Sequence, residues 1–191
     1  MAFVQKNVQP LIYALILIMF SVGAADALTV KGIDFADQVT ISDKKLHLNG
    51  AGIKKSFFST LYACALYLPH PTYDADKAIK SDLCKQVIMQ FQSKFSKDKI
   101  VEGWNDGFFN NSQEKLYILQ ERITTFNAFF RDMAANDRIT FSYVPKQGTT
   151  ITINDETKGT IPGSDFMQAL WAIWLGSNPA DSDLKKGMLG K

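Results

Sequence analysis

This sequence predicts an α+β domain, a large antiparallel sheet with its helices gathered mainly on one face. Three observations carry that expectation. Strand-like apolar runs fill residues 28–91, helix-spaced apolar residues fill 97–135, and short β-rich runs return at 138–161 ahead of a last apolar helix. Strands, then helices, then strands and a helix is the order of a segregated α+β fold, not of alternating βαβ units.

Residues 28–35 read as strand, followed by 39–41, a turn at Ser42-Asp43-Lys44-Lys45, and strand again over 46–49. Apolar flanks around a small polar turn predict a hairpin. Residues 51–68 predict one or two long strands, stopped by Pro69 and Pro71. Within them 61–67 is apolar at successive positions, so both faces of the sheet must be covered there. A short helical turn is expected over 73–81, then a strand at Lys85–Phe91 with Val87, Met89 and Phe91 on one face.

From Lys97 the period changes. Ile100 and Trp104, then Val101 and Phe108, fall at helix spacing. A second helix is expected over 112–135, capped by Ser112, with Leu116, Leu119, Ile123, Phe126, Phe130 and Met133 as its buried stripe. Strands follow at Arg138–Val144, 149–154 and 157–161, divided by Lys146-Gln147-Gly148 and Asn154-Asp155-Glu156. Pro162-Gly163-Ser164 leads an apolar helix over 165–175, which Gly176 and Pro179 end, and 180–189 predicts one more short helix.

The amino terminus decides where such a domain works. Lys6 precedes an apolar run over 11–20, and Gly23, Ala24, Ala25 and Ala27 follow. A basic start, short apolar core and small-residue exit is the pattern of a secretory signal peptide, here over 1–27 with a cut after Ala25 or Ala27. The run is about half the length of a bilayer-spanning helix, and no later run reaches that length. A single domain over 28–191 is therefore expected in the periplasm or otherwise exported.

Composition removes several function classes. The net charge is +2 with both signs well mixed, which gives no basic stripe for nucleic acid. His47 and His70 are the only histidines and no Cys-x-x-Cys pair occurs, so no metal site is expected. No nucleophile elbow, phosphate loop or zinc-helix motif appears, so neither a cofactor nor a catalytic residue is assigned. Cys64 and Cys84 leave two states open: a disulfide, which export would permit, or free thiols with Cys64 buried in its apolar strand. Gly50 and Gly52 open a strand and predict a bulge or a close backbone approach.

The candidate site rests on Lys54 and a set of aromatic residues. Lys54 and Lys55 are adjacent on a strand and must face opposite ways, so one of them points toward the helical layer. A lysine there either meets an anion or reaches back to water along its stem. Tyr62, Trp104, Phe126, Phe130 and Trp171 either line a cavity with it or form ordinary core.

Gly50-Ala51-Gly52-Ile53-Lys54 and Tyr62-Ala63-Cys64-Ala65-Leu66-Tyr67-Leu68-Pro69 resemble the chalcone isomerase superfamily, in particular its secreted bacterial isomerase-like members. The likeness extends through Val87-Ile88-Met89-Gln90-Phe91, the helices after Lys97, Lys158-Gly159-Thr160-Ile161-Pro162-Gly163, Phe166 and the helix end at Gly176. It implies an open-faced sandwich. It also implies either intramolecular closure of a chalcone or, in non-catalytic relatives, a cleft that in some cases holds a fatty acid. The family's ligand-anchoring arginine falls at Lys54, which keeps the charge but not the planar fork. The threonine of the enzymes falls near Tyr62, and Trp104 and Asn105 occupy the region of the family's helix tyrosine and asparagine.

With that catalytic set incomplete, the leading expectation is a non-enzymatic exported domain. It would bind a fatty acid or other small amphipathic acid through Lys54 and Tyr62, with Trp104, Phe126, Phe130 and Trp171 around the tail. A protein-interaction or envelope-structural module, its partner unspecified, is the second reading. An isomerase (intramolecular lyase) acting on a chalcone-like phenol is the third.

Overall fold

The computed structural model describes residues 27–56 and 59–191, so the leader expected over 1–27 lies, Ala27 apart, outside the described residues. Two short strands come first, β1 (Ala27–Val30) and β2 (Ile33–Ala36). Seven more follow: β3 (Gln38–Ile41), β4 (Lys44–Ser56), β5 (Ser59–Leu68), β6 (Lys85–Phe91), β7 (Arg138–Val144), β8 (Gly148–Ile153) and β9 (Glu156–Ile161). The helices are α1 (Ala75–Lys80), α2 (Lys97–Ser112), α3 (Leu116–Ala128), α4 (Ser164–Leu175) and α5 (Ser182–Met188).

Strands β3 to β9 form one antiparallel sheet in sequence order, while β1 and β2 pair only with each other. The expected α+β sandwich is therefore present, with one refinement. Residues 28–35 are two strands, because Lys31 and Gly32 adopt positive φ (51° and 77°) and turn the chain back within two residues. Positive φ at both central positions is the turn whose twist matches a two-residue hairpin. Ser42 and Asp43 do the same between β3 and β4.

Both faces of β5 are covered, as its run of apolar residues requires. Tyr62, Cys64, Leu66 and Leu68 join Val87, Met89 and Phe91 beneath the helices. Ala63, Ala65 and Tyr67 join Ile33, Phe35 and Leu46 on the reverse face, where the β1–β2 hairpin takes the place of a helix. Farther along the sheet the reverse face is polar. Thr140, Ser142, Thr150 and Thr152 alternate with buried Ile139, Phe141, Ile151 and Ile153, the pattern of a sheet covered on one side.

Helix α4 is buried almost throughout, from Phe166 and Met167 to Leu175, and packs against α1, α2 and β8. A helix apolar all round must be enclosed, and this one is the centre of the helical layer. Its first turn is tied to α3 by Arg122, whose guanidinium donates to both carboxylate oxygens of Asp165 (2.7 and 2.6 Å). On the far edge α5 lies along β4. A Cβ at Gly50 or Gly52 would collide with the backbone carbonyl of Gly187 or Leu184, so the close approach expected of those glycines is real.

The helix expected over 112–135 is shorter and starts later. Ser112 ends α2, a 3-10 turn at Gln113–Lys115 reverses the chain, and α3 stops at Ala128. Ser112 makes no capping bond; the capping serine is Ser96, which accepts from the Lys99 amide at the start of α2. Beyond α3 the chain returns to the segment that follows β6, where Met133 bridges Phe95, so Phe130 and Met133 are buried from a loop. Among the described residues no helix is long and apolar enough to cross a membrane.

Candidate functional site

Lys54 and Tyr62 stand opposite each other in the β4–β5 register. Tyr62 faces the helices, and the Lys54 ammonium lies 6.0 Å from the centre of its ring. The register shifts immediately after Lys54, and Lys55 is exposed. Of the two adjacent lysines, then, Lys54 points toward the helical layer.

The space it reaches is a cavity of about 120 Å³ between sheet and helices. Tyr62, Met89 and Phe91 supply the sheet wall, Ile100 and Trp104 the α2 wall, and Ile173 the base. Phe95 closes one side, its ring 5.2 Å from Phe91 and 6.5 Å from Tyr62. Lys99 stands at the mouth, paired with Glu102 at 2.7 Å. Trp104 is 5% exposed, and its Nε1 is buried with no hydrogen-bond partner. An unpaired buried donor is costly; Trp171 and Trp174 carry one too, but of the three only Trp104 lines the cavity.

Burial keeps the acidic groups beside the cavity protonated. Burial pushes the Tyr62 phenol well above its ordinary value, with Cys64 and Asp181 adding to the effect. At neutral pH Tyr62 therefore keeps its proton and serves as a donor. Burial likewise raises the Cys64 thiol, against the opposing pull of Lys54. Two lysines, Lys54 and the Glu102-paired Lys99, together with Tyr62 and Trp104 border an otherwise apolar space.

The other expected site residues divide. Phe126 and Phe130 do not line the cavity; they pack against Trp104 at 5.7 and 5.6 Å and hold its ring in place. Trp171 is a step farther away, meeting Trp174 at 6.5 Å, which in turn meets Trp104 at 5.7 Å. Asn105 is spent outside the cavity, where its Oδ1 accepts from Asn127 at 2.8 Å. Cys64 and Cys84 are free. Cys64 packs in the helix-side cluster and Cys84 against the reverse-face cluster, so the sheet separates the two thiols and the disulfide does not form.

Phe95, Lys99 and Gly103 were not legible as site residues. Lys99 and Gly103 carry a usable signal, since residues four apart share a helix face. Phe95 carries none, because it reaches the site from a loop.

A hollow of about 510 Å³ between α1 and the end of α2 is larger. Its polar groups already serve each other: Asn111 Nδ2 donates to Gly107 and Asn178 carbonyls, and its Oδ1 accepts from the Asn178 amide.

A family profile described as chalcone isomerase-like matches residues 27–190. No curated protein matches the chain. Among solved structures, the chain is similar to the crystal structure of a fatty-acid binding protein of Arabidopsis thaliana. The TM-score is 0.65 at 15% identity, over 86% of this chain and 96% of that one. At that identity the likeness is one of fold.

Proposed function

The chain belongs to the chalcone isomerase-like family, and from that premise we propose that it is a non-enzymatic binding domain that holds a small amphipathic acid between sheet and helices. The observation that carries this reading is the placement of Lys54, Tyr62 and Trp104, the last with an unpartnered Nε1, among the residues that line one apolar cavity. Lys54 meets the carboxylate, Tyr62 donates beside it, and the aromatic walls take the apolar part. The solved relative of the same fold is described as a fatty-acid binding protein, which supports an acid as the ligand class. The leader pattern at 1–27 supports export, and with it a place among the secreted bacterial members of the family.

Mass spectrometry of the processed protein, purified without detergent, tests the reading. A small acid released on denaturation, and lost in Lys54→Ala with the circular dichroism unchanged, is the expected result. Protein that carries no acid and takes up none on addition would overturn it.

One observation favours a second reading, a protein-interaction module. Phe109, Tyr117 and Ile118 are 54, 91 and 69% exposed around the turn that joins α2 to α3. Surface that apolar invites a partner. If Phe109→Ser with Ile118→Ser abolished complexes captured from envelope extracts while acid binding was unaffected, this second role would stand beside the first.

A further inference from the structure

We infer that the ligand is a monocyclic aromatic acid, not a long-chain one; this rests on the acid-binding reading above and narrows it. Volume argues first. The cavity holds about 120 Å³, and an apolar protein cavity of about 150 Å³ accommodates one benzene molecule. A space of that size is at most ring-sized, so the rest of the ligand must stay at the mouth, and a long alkyl chain does not fit.

The wall chemistry argues second. Tyr62, Phe91 and Phe95 form a contiguous aromatic surface, with centroid separations of 6.1, 5.2 and 6.5 Å and mutual tilts of about 60°. Trp104 faces them from α2 across the cavity. Rings in that arrangement offer both faces and edges, the two modes in which an added ring gains beyond simple burial. A flexible chain uses neither and loses its rotamer freedom on entering.

The polar groups fit the same ligand. A carboxylate one or two bonds from a ring puts the charge and the ring at opposite ends of a short ligand. Lys54 and Lys99 lie at the cavity border, so the acid group stays near the mouth while the ring goes inward. An acceptor on the ligand also gives the Trp104 Nε1–H the partner it lacks. Gly103 sits at the same mouth, and a Cβ there would meet no atom within 4 Å. The opening is kept clear by the absence of a side chain, not by a packing requirement.

The experiment compares phenylacetate, octanoate and palmitate by titration calorimetry, with the Trp104 indole N–H followed by ¹H–¹⁵N correlation spectra and assigned by Trp104→Phe. Phenylacetate and octanoate carry the same number of carbons, so the comparison isolates the ring. The expected result is binding of phenylacetate at least tenfold tighter than octanoate, a shift of the Trp104 indole resonance, and no uptake of palmitate. Gly103→Leu should weaken phenylacetate at least tenfold while the protein remains folded. Octanoate or palmitate binding as tightly or more tightly, in a Lys54-dependent way, would overturn the ring inference and leave acid binding standing. If none of the three acids bound, both would fall.

Discussion

Lys54 of β4 and Tyr62 of β5 are cross-strand partners that face the helices together, with the ammonium 6.0 Å from the ring centre. The pair sets a charge against an aromatic surface at the border of the cavity between sheet and helices. A lysine over a tyrosine face at that distance contributes roughly 0.5–1 kcal/mol. Its loss is therefore tolerable to the fold.

That separation of fold from binding is the first expectation. Lys54→Met should shift unfolding by no more than about 1 kcal/mol, yet lower affinity for an acid by at least tenfold. Lys54→Arg should restore most of the binding, since the charge returns on a side chain of similar reach. Equal affinities in all three proteins, by calorimetry, would remove Lys54 from the site.

Two glycines of α2 make opposite predictions. Gly103 is exposed at the cavity mouth, where a Cβ meets nothing within 4 Å. Gly103→Ala should stabilise the protein by about 0.5–1 kcal/mol, the usual gain on replacing glycine inside a helix. Gly107 is where α2 crosses α4, and its Cβ would come within 2.6 Å of the Ile173 side chain. There the alanine must displace Ile173, and overpacking of that kind costs about 1–3 kcal/mol, which outweighs the same propensity gain where Ile173 cannot move aside. Urea midpoints that move in opposite directions are the expected outcome; two shifts of the same sign would contradict the helix contact.

How much of this could be read beforehand depends on whether the determinant is local. The apolar run over 61–67 announced a strand covered on both faces, because period-two logic needs only the strand itself. The occupant of the reverse face was not legible. That residues 28–35 fold back as a hairpin rests on positive φ at Lys31 and Gly32, a weak signal when one of the pair is lysine. Ser112 resembled a cap, but the chain reached it still helical, and tertiary packing set the break at the 3-10 turn instead. At the site, Lys54, Tyr62 and Trp104 were named from the sequence, whereas Phe95 comes from a loop whose position is set by its bridge to Met133. A loop residue's neighbours depend on the whole fold, so no periodicity reveals them.

The Arg122–Asp165 pair makes a prediction about acid. The guanidinium grips both carboxylate oxygens and also donates to the Pro162 carbonyl at 3.0 Å. That fork anchors the first turn of α4, where a carboxylate is further favoured by the helix N-terminus. Asp165→Asn should cost about 1 kcal/mol at neutral pH, since the pair is partly exposed. The bond to Arg122 holds the Asp165 carboxyl below its ordinary value. Its contribution is thus present above the unfolded-state carboxyl pKa and is lost as pH falls through the lower folded one. The stability gap between the native protein and Asp165→Asn should begin to narrow as pH falls below about 4 and close below the folded value; a gap that did not narrow with acid would mean that the charge is not what the pair contributes.

Lys85 predicts the opposite trend in alkali. It opens β6 with 0% exposure, and its ammonium donates to the carbonyls of Ala78 (2.6 Å) and Ile79 (3.2 Å) and to Ser81 Oγ (3.1 Å), closing the end of α1. Burial lowers its pKa from 10.5 to about 8, with Asp82 pulling the other way. Below that value folded and unfolded chains both carry the proton, and the cost of burying the charge is fully present. Between about 8 and 10.5 the unfolded chain holds a proton that the folded one has released, so stability rises with pH through that window. The rise amounts to about 3 kcal/mol at most. The neutral amine still has two hydrogens to donate, enough for the two carbonyls. Other groups titrate in the same range, including Tyr67, which burial pushes up to about 12. Subtracting the curve of Lys85→Met removes their shared contribution. The native protein should gain on that variant from pH 8 to 10.5, and a flat difference would show that Lys85 keeps an ordinary lysine pKa despite its burial.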